Sequence, residues 1–286
     1  MLRSLIGVAA LGGALLVSTH GFAASCTRDS LQAATDSYIA AQTKGDVSGL
    51  ALASSFKYIE NWKTLDPKAG IISSPQKIDF HRSLLDTLQC KTFTEVIVTD
   101  PTHPYVIGTR LSLTGKGKIS EIESLVTDEG DWLFNAANTL KYSSAENWGI
   151  IPKDQRADRK TLMAAANAYM DLFYDKSVQV PWGHPCDRLE GGIYTGKGTP
   201  DDSCDVGVPS GVKLTDRRFV VDPDIGAVDA FINFGGRSDA NGLPDSHLFR
   251  VENGKLRFVH TMTHLLQANF QGRRGGAAAG RGVGGR

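Results

Sequence analysis

The sequence has no Gly-x-Ser-x-Gly, no phosphate-binding Gly-x-x-x-x-Gly-Lys-Ser/Thr loop and no Gly-x-Gly-x-x-Gly followed by a helix. Those absences argue against serine-hydrolase, nucleotide and dinucleotide chemistry. It has four cysteines, none in a Cys-x-x-Cys pair and none at zinc-ligand spacing, so no metal site and no cofactor are expected. Beyond the first two dozen residues no apolar run is long enough for a membrane span. No Asn-x-Ser/Thr acceptor occurs either. Charge of one sign is also missing, with 31 basic against 31 acidic residues. With Arg3, Arg273, Arg274, Arg281 and Arg286 set aside, the remaining body is mildly acidic. Nucleic acid is therefore an unexpected partner, apart from weak attraction to the arginine-bearing end.

What is present reads as a globule with a leader. Hydrophobic residues make up 41% and charged residues 22%, enough for a proper core. Residues 1–24 combine Arg3, an apolar run from Leu5 to Val17 and the small residues Gly21-Phe22-Ala23-Ala24, the pattern of a secretory signal. The expected location is extracellular, or periplasmic for a bacterial source, which the missing glycosylation acceptors favour. An even cysteine count in a secreted chain implies disulfides. Of the three pairings, Cys26–Cys90 with Cys186–Cys204 keeps each bond within one half of the chain. Residues 267–286 are Gly/Arg-rich and too poor in apolar mass to fold, so they read as a disordered tail.

The strongest local signal is Asn253-Gly254 between two apolar-rich runs. This is the pair that a type I′ hairpin turn favours, because both central residues need positive φ. A two-residue loop would set Glu252 opposite Lys255, Val251 opposite Leu256, Phe249 opposite Phe258 and His247 opposite His260. Side chains alternate along a strand. Asp245, His247, Phe249 and Val251 would then share an inward face with Leu256, Phe258, His260 and Met262. Arg250, Glu252, Lys255 and Arg257 would be solvated. Two histidines and an aspartate converge on the inner side of the sheet in this register. The alternative is that both histidines are core residues bonded to backbone or water, and a one-residue slip would turn them outward.

The chain also repeats. Arg28, Leu31, Ala33, Ala34 and Tyr38 match Arg159, Leu162, Ala164, Ala165 and Tyr169 at constant offset, on two helix-periodic segments. Glu60 then answers Glu190. The run 121–134 parallels 245–258, with Glu123 answering His247. The first copy reads as helices at 27–43, 46–54 and 77–88, then strands at 92–98, 104–114, 118–127 and 132–137. The second reads as a helix at 159–174, then strands at 187–195, 216–222, 227–234, 245–252 and 255–262. A Gly/Pro/Asp-rich excursion at 196–213 stands in place of the 77–88 helix. The expected organisation is a first domain at 25–146, a polar linker at 147–158 and a second domain at 159–266. Each domain packs helices on one face of a bent antiparallel sheet, an α+β fold.

That order of elements resembles the nuclear-transport-factor-2-like, or SnoaL-like, cone fold, here in tandem. The stretches 120–136, 181–196 and 244–261 also resemble a family of secreted, mostly fungal proteins with a domain of unknown function. The second resemblance implies a fold and a compartment but no reaction. Enzymes of the cone superfamily, such as scytalone dehydratase and ketosteroid isomerase, transfer protons inside the cone. The resemblance therefore implies a small-molecule lyase, dehydratase or isomerase with His247 and His260 as acid and base and Asp245 as orienter. Tyr169, Arg188 and Glu190 would bind substrate. Histidine suits such work because it titrates near neutral pH. Glu60, Glu121 and Glu123 would mark a second site or a polar mouth in the first copy. The alternative is a non-catalytic secreted binding or interaction protein. A small molecule in the pocket and a second copy of the chain are the candidate partners.

Overall fold

A computed structural model describes residues 26–236 and 242–265. The expected leader at 1–24 and the expected disordered tail at 267–286 lie outside the described residues.

Helix α1 (Arg28–Lys44) starts where the Thr27 hydroxyl accepts from the Ser30 amide at 3.1 Å, and it buries a stripe of Leu31, Thr35, Tyr38 and Ala41. Six strands follow: β1 (Leu52–Glu60), β2 (Lys63–Leu65), β3 (Phe80–Asp86), β4 (Lys91–Val98), β5 (Tyr105–Leu113) and β6 (Ile119–Thr127). They form one sheet in the order β2-β1-β6-β5-β4-β3. After helix α2 (Ala136–Ser143), the pattern recurs. Helix α3 (Arg159–Asp171) leads into β7 (Trp182–Glu190), β8 (Ile193–Tyr194), β9 (Leu214–Asp222), β10 (Ala227–Phe234), β11 (Leu243–Glu252) and β12 (Lys255–Thr263). The second sheet has the order β8-β7-β12-β11-β10-β9, strand for strand that of the first. The fold is α+β with two sheet domains. Both sheets are mixed rather than antiparallel, because β1 runs parallel to β6 and β7 parallel to β12.

Several expected elements differ. Residues 46–54 are not a helix. The Asp46 carboxylate accepts from the Ser48 amide at 2.8 Å, an Asx turn that leads into β1. The 77–88 segment is strand β3, with Leu84 and Leu85 buried on opposite faces, so its apolar spacing imitates a helix. Its counterpart in the second copy is β9, and nothing replaces a helix there. Residues 132–137 are not a strand but lead into α2. In the third matched block, β6 corresponds to β12, not to β11. Ile59 pairs with Glu123 and Leu189 pairs with His260, so Glu123 answers His260 rather than His247.

Three apolar cores result. One lies between α1 and the first sheet, one between α3 and the second. The third joins the two sheets back to back through Leu84, Phe93 and Leu125 on one side and Phe231, Leu248 and Met262 on the other. Phe93 meets Phe231 edge-on at 6.0 Å. The ends of this interface are reciprocal. Arg28 of α1 grips Asp222 of β9 at 2.7 and 2.9 Å, and Arg159 of α3 reaches Asp86 of β3 at 2.8 Å. Each aspartate also accepts a backbone amide across the interface, from Leu85 at 2.9 Å and Val221 at 3.0 Å. Matched residues making exchanged contacts is the signature of two-fold, isologous packing, here between the halves of one chain. The segment 147–158 takes part too: Trp148 and Ile151 are buried, so it is packed rather than a solvated tether.

The disulfides are Cys26–Cys90 and Cys186–Cys204. The second closes a short loop, with a sequence separation of 18. Replacing both Cys186 and Cys204 by serine is expected to lower stability by about 3 kcal/mol in the chain-entropy account. Reversible denaturant unfolding of that variant against the parent measures it, and an unchanged midpoint would refute the expectation.

Candidate functional site

The inner face of the second sheet carries the site. The Asn253-Gly254 turn is present, with φ of 52° and 74°, and it pairs Glu252 with Lys255 and Val251 with Leu256 as read from the sequence. The register then shifts. A bulge at Arg257 sets Arg250 opposite Phe258, Leu248 opposite His260 and His247 opposite Thr261. One extra residue turns β12 over beyond that point. Phe258, His260 and Met262 therefore face the first sheet, while Val259, Thr261 and Thr263 face inward with His247. The expected pairing of His247 with His260 does not exist, because the two histidines lie on opposite faces. Nor is the outer face solvated. Arg250 is buried and donates to the carbonyls of Gly149, at 2.9 Å, and Ile225.

His247 lines a cavity of about 250 Å³. Its Nδ1 lies 2.6 Å from Asp245 Oδ1, and the other oxygen of Asp245 accepts from the Thr263 hydroxyl at 2.6 Å. Burial pushes the Asp245 carboxyl up, and His247 and Thr263 pull it back. With Nδ1–H directed at the carboxylate, the lone pair of Nε2 is left without a protein partner among the described residues. The ring is held by Tyr169 at 5.7 Å, Phe173 at 5.8 Å and Phe249 at 6.0 Å between centroids. Tyr169 stands behind His247 on α3, fully buried, with its hydroxyl unpaired.

Arg188 and Glu190 line the same cavity from β7. The Arg188 guanidinium donates to Glu190 and to the Val206 carbonyl, and its Nε has no partner. The structure thus brings Asp245, His247, Arg188 and Glu190 together, with Tyr169 adjoining, and leaves His260 out.

His260 instead sits between two carboxylates at the inter-sheet interface. Its Nε2 is 2.6 Å from Glu146 Oε2 and its Nδ1 is 3.4 Å from Glu95 Oε1. Although burial lowers its pKa, Glu146 and Glu95 raise it to about 9. Asp229 also faces the interface, not the cavity. It accepts from Ser246 at 2.6 Å, and burial raises it to about 7 against the pull of Arg110.

The equivalent interior of the first unit holds no such set. Thr109 occupies the position of His247 and bonds the Tyr38 hydroxyl at 2.7 Å. Ile107 occupies that of Asp245 and Tyr58 that of Arg188. Glu60 is capped by the Tyr58 hydroxyl at 2.5 Å and the Ile71 amide at 2.7 Å, and Ile71 and Ile72 fill the core. Glu123 points the other way and pairs with Arg218 at 2.7 Å. Glu60 and Glu123 do not converge on one site.

Two cavity features escaped the sequence reading. The segment 195–213, which joins β8 to β9 as the stretch with Ile71 and Ile72 joins β2 to β3, supplies Gly207, Pro209 and Val212 to the wall. Trp132, from the first half of the chain, closes another side and donates to Glu190 Oε1 at 2.8 Å. The Glu190-Gly191-Gly192 sequence carried a signal for it, since paired glycines allow close backbone approach. Gly191 turns β7 into β8 at φ 56°, and a Cβ there would fall 2.6 Å from the Trp132 carbonyl.

Residues 155–263, from just before α3 to the end of β12, match the model of a domain of unknown function (DUF8021). The match spans the second unit and under half of the chain. A search among curated proteins gave no match.

Proposed function

We propose that the second unit is a proton-transfer site for a small organic molecule, performing lyase, dehydratase or isomerase chemistry with His247 as the acid–base and Asp245 as its orienter. What carries this reading is the His247–Asp245 contact of 2.6 Å at the wall of a cavity, with Nε2 left for a ligand. The carboxylate fixes the tautomer and stabilises the imidazolium that forms when Nε2 takes a proton. Arg188 lines the same cavity, and its positive charge would stabilise a substrate oxygen on which negative charge develops. His260 has no part in this chemistry. Each unit is read as a cone of the nuclear-transport-factor-2-like kind, the first filled and the second hollow. The disulfides are consistent with a secreted protein.

The test is hydrogen exchange of acidic C–H groups in deuterated water, followed by NMR over a panel of small cyclic ketones such as 2-tetralone. The protein should accelerate exchange on at least one member. His247→Gln should lower that rate by about 10²–10⁴-fold. Equal rates in the variant would sink the assignment. Compounds that raise the melting temperature with no exchange would favour the second reading, a ligand-binding protein, which rests on the same cavity.

A further inference from the structure

The cavity of the second unit is not built by that unit alone. The segment after β6 clamps onto it. The Gly192 amide donates to the Leu133 carbonyl at 2.8 Å, and Asn138 and Thr139 of α2 donate to the carbonyls of Gly192 and Gly191 at 3.1 and 2.8 Å. Asp131 accepts from the Leu265 amide at 2.6 Å. This clamp sets the Trp132 ring into the cavity wall, with its N–H on Glu190.

The charges around the cavity are already matched to each other. Arg188 is the single arginine or lysine among the described lining residues, and it is committed to Glu190 and the Val206 carbonyl. Asp245 is committed to His247 and Thr263. Among the described lining residues an entering anion would meet two carboxylates and no free cation, and there it would lose its hydration without compensation. His247 Nε2 remains open as an acceptor, whereas the unpartnered Arg188 Nε–H is buried on a side chain only 3% exposed. The rest of the wall is largely apolar, including Phe173, Phe234 and Leu243. An apolar cavity of about 150 Å³ takes benzene, so about 250 Å³ has room for a substituted or fused ring.

We infer that this composite cavity takes an uncharged, ring-bearing hydroxyl compound, and that Trp132 is the residue by which the first unit sets its shape and holds Glu190 against Arg188. The inference rests on the cavity being the working site, but not on proton transfer occurring there.

Calorimetric titration of the mature chain with 2-naphthol and with 2-naphthoate tests it. Neither probe has a C–H acid like those of the ketone panel, so binding is scored apart from chemistry. Naphthol should bind at least about tenfold more tightly than naphthoate. Glu190→Gln releases the Arg188 charge and should reverse the preference. Trp132→Ala should weaken naphthol by about tenfold, whereas Trp132→Phe, which keeps a ring, should weaken it less. Melting temperatures are read alongside, because a merely structural tryptophan would lower them and leave the ratio of affinities alone. That result would overturn the proposal. So would a wild-type preference for naphthoate, no binding of either probe, or an unchanged preference in Glu190→Gln.

Discussion

Replacing His260 by alanine is expected to cost about 3–5 kcal/mol of stability at neutral pH, the usual penalty for stranding a buried charge. His260, Glu95 and Glu146 have side chains only 2–3% exposed. Arg82 completes the cluster. It lies 3.3 Å from Glu95, donates to the Ser143 hydroxyl and carbonyl at 3.0 and 2.5 Å, and stacks over Trp148 at 4.3 Å. Two carboxylates and two cations balance only while the imidazole is protonated. Removing it leaves two buried anions facing one guanidinium, across the interface that joins the two sheets.

The same cluster fixes a pH dependence. The pKa of His260 is raised from 6.5 to about 9 in the folded chain. Its stabilisation is therefore fully present below 6.5 and lost as pH rises from there through about 9. On the acid side, burial raises Glu95, but His260 and Arg82 outweigh it and hold the carboxyl at about 2, against an ordinary 4.5. That stabilisation is present above 4.5 and lost as pH falls through about 2. The two shifts describe one interaction from its two partners and count once. His260→Gln keeps hydrogen-bonding capacity but cannot titrate. Denaturant midpoints of the wild type should fall between neutral pH and about pH 10, and those of the variant should stay flatter. Parallel curves would show that the alkaline loss arises elsewhere.

The duplication was readable from Arg28 and Arg159 because those arginines repeat a structural task, gripping an aspartate at the far edge of the opposite sheet. The helical stripes Leu31–Tyr38 and Leu162–Tyr169 were readable for the ordinary reason that helices bury one face. The reading failed where a sheet is covered on both sides. In β3, Leu84 feeds one core and Leu85 another, and the strict alternation expected of a half-buried strand disappears. Strand β12 had the same warning. Phe258 and Val259 are adjacent and both apolar, which a strand with one wet face would not carry. The bulge at Arg257 left no local mark, and it alone separates His260 from His247. Asp245, His247, Arg188 and Glu190 line one cavity because they lie before that bulge or on a different strand. No periodicity relates Trp132, on a turn in one half, to a cavity in the other, and only the paired glycines Gly191-Gly192 marked the close approach on the receiving side.

Asp245→Asn isolates the orienting role from the proton-carrying one. In either orientation of the new amide the negative charge beside Nδ1 is gone. If its NH₂ faces the ring, Nδ1 must accept, the proton moves to Nε2, and the base is blocked. If its oxygen faces the ring, the tautomer survives, but the imidazolium loses its counter-ion. Both routes should lower catalysed exchange on the ketone panel by about 10²–10⁴-fold at neutral pH. Thr263→Val, which removes only the hydroxyl bonded to the far oxygen of Asp245 at 2.6 Å, keeps the carboxylate against the ring and should lower the rate far less. Equal losses in the two variants would mean that the charge beside Nδ1 is not what the reaction needs.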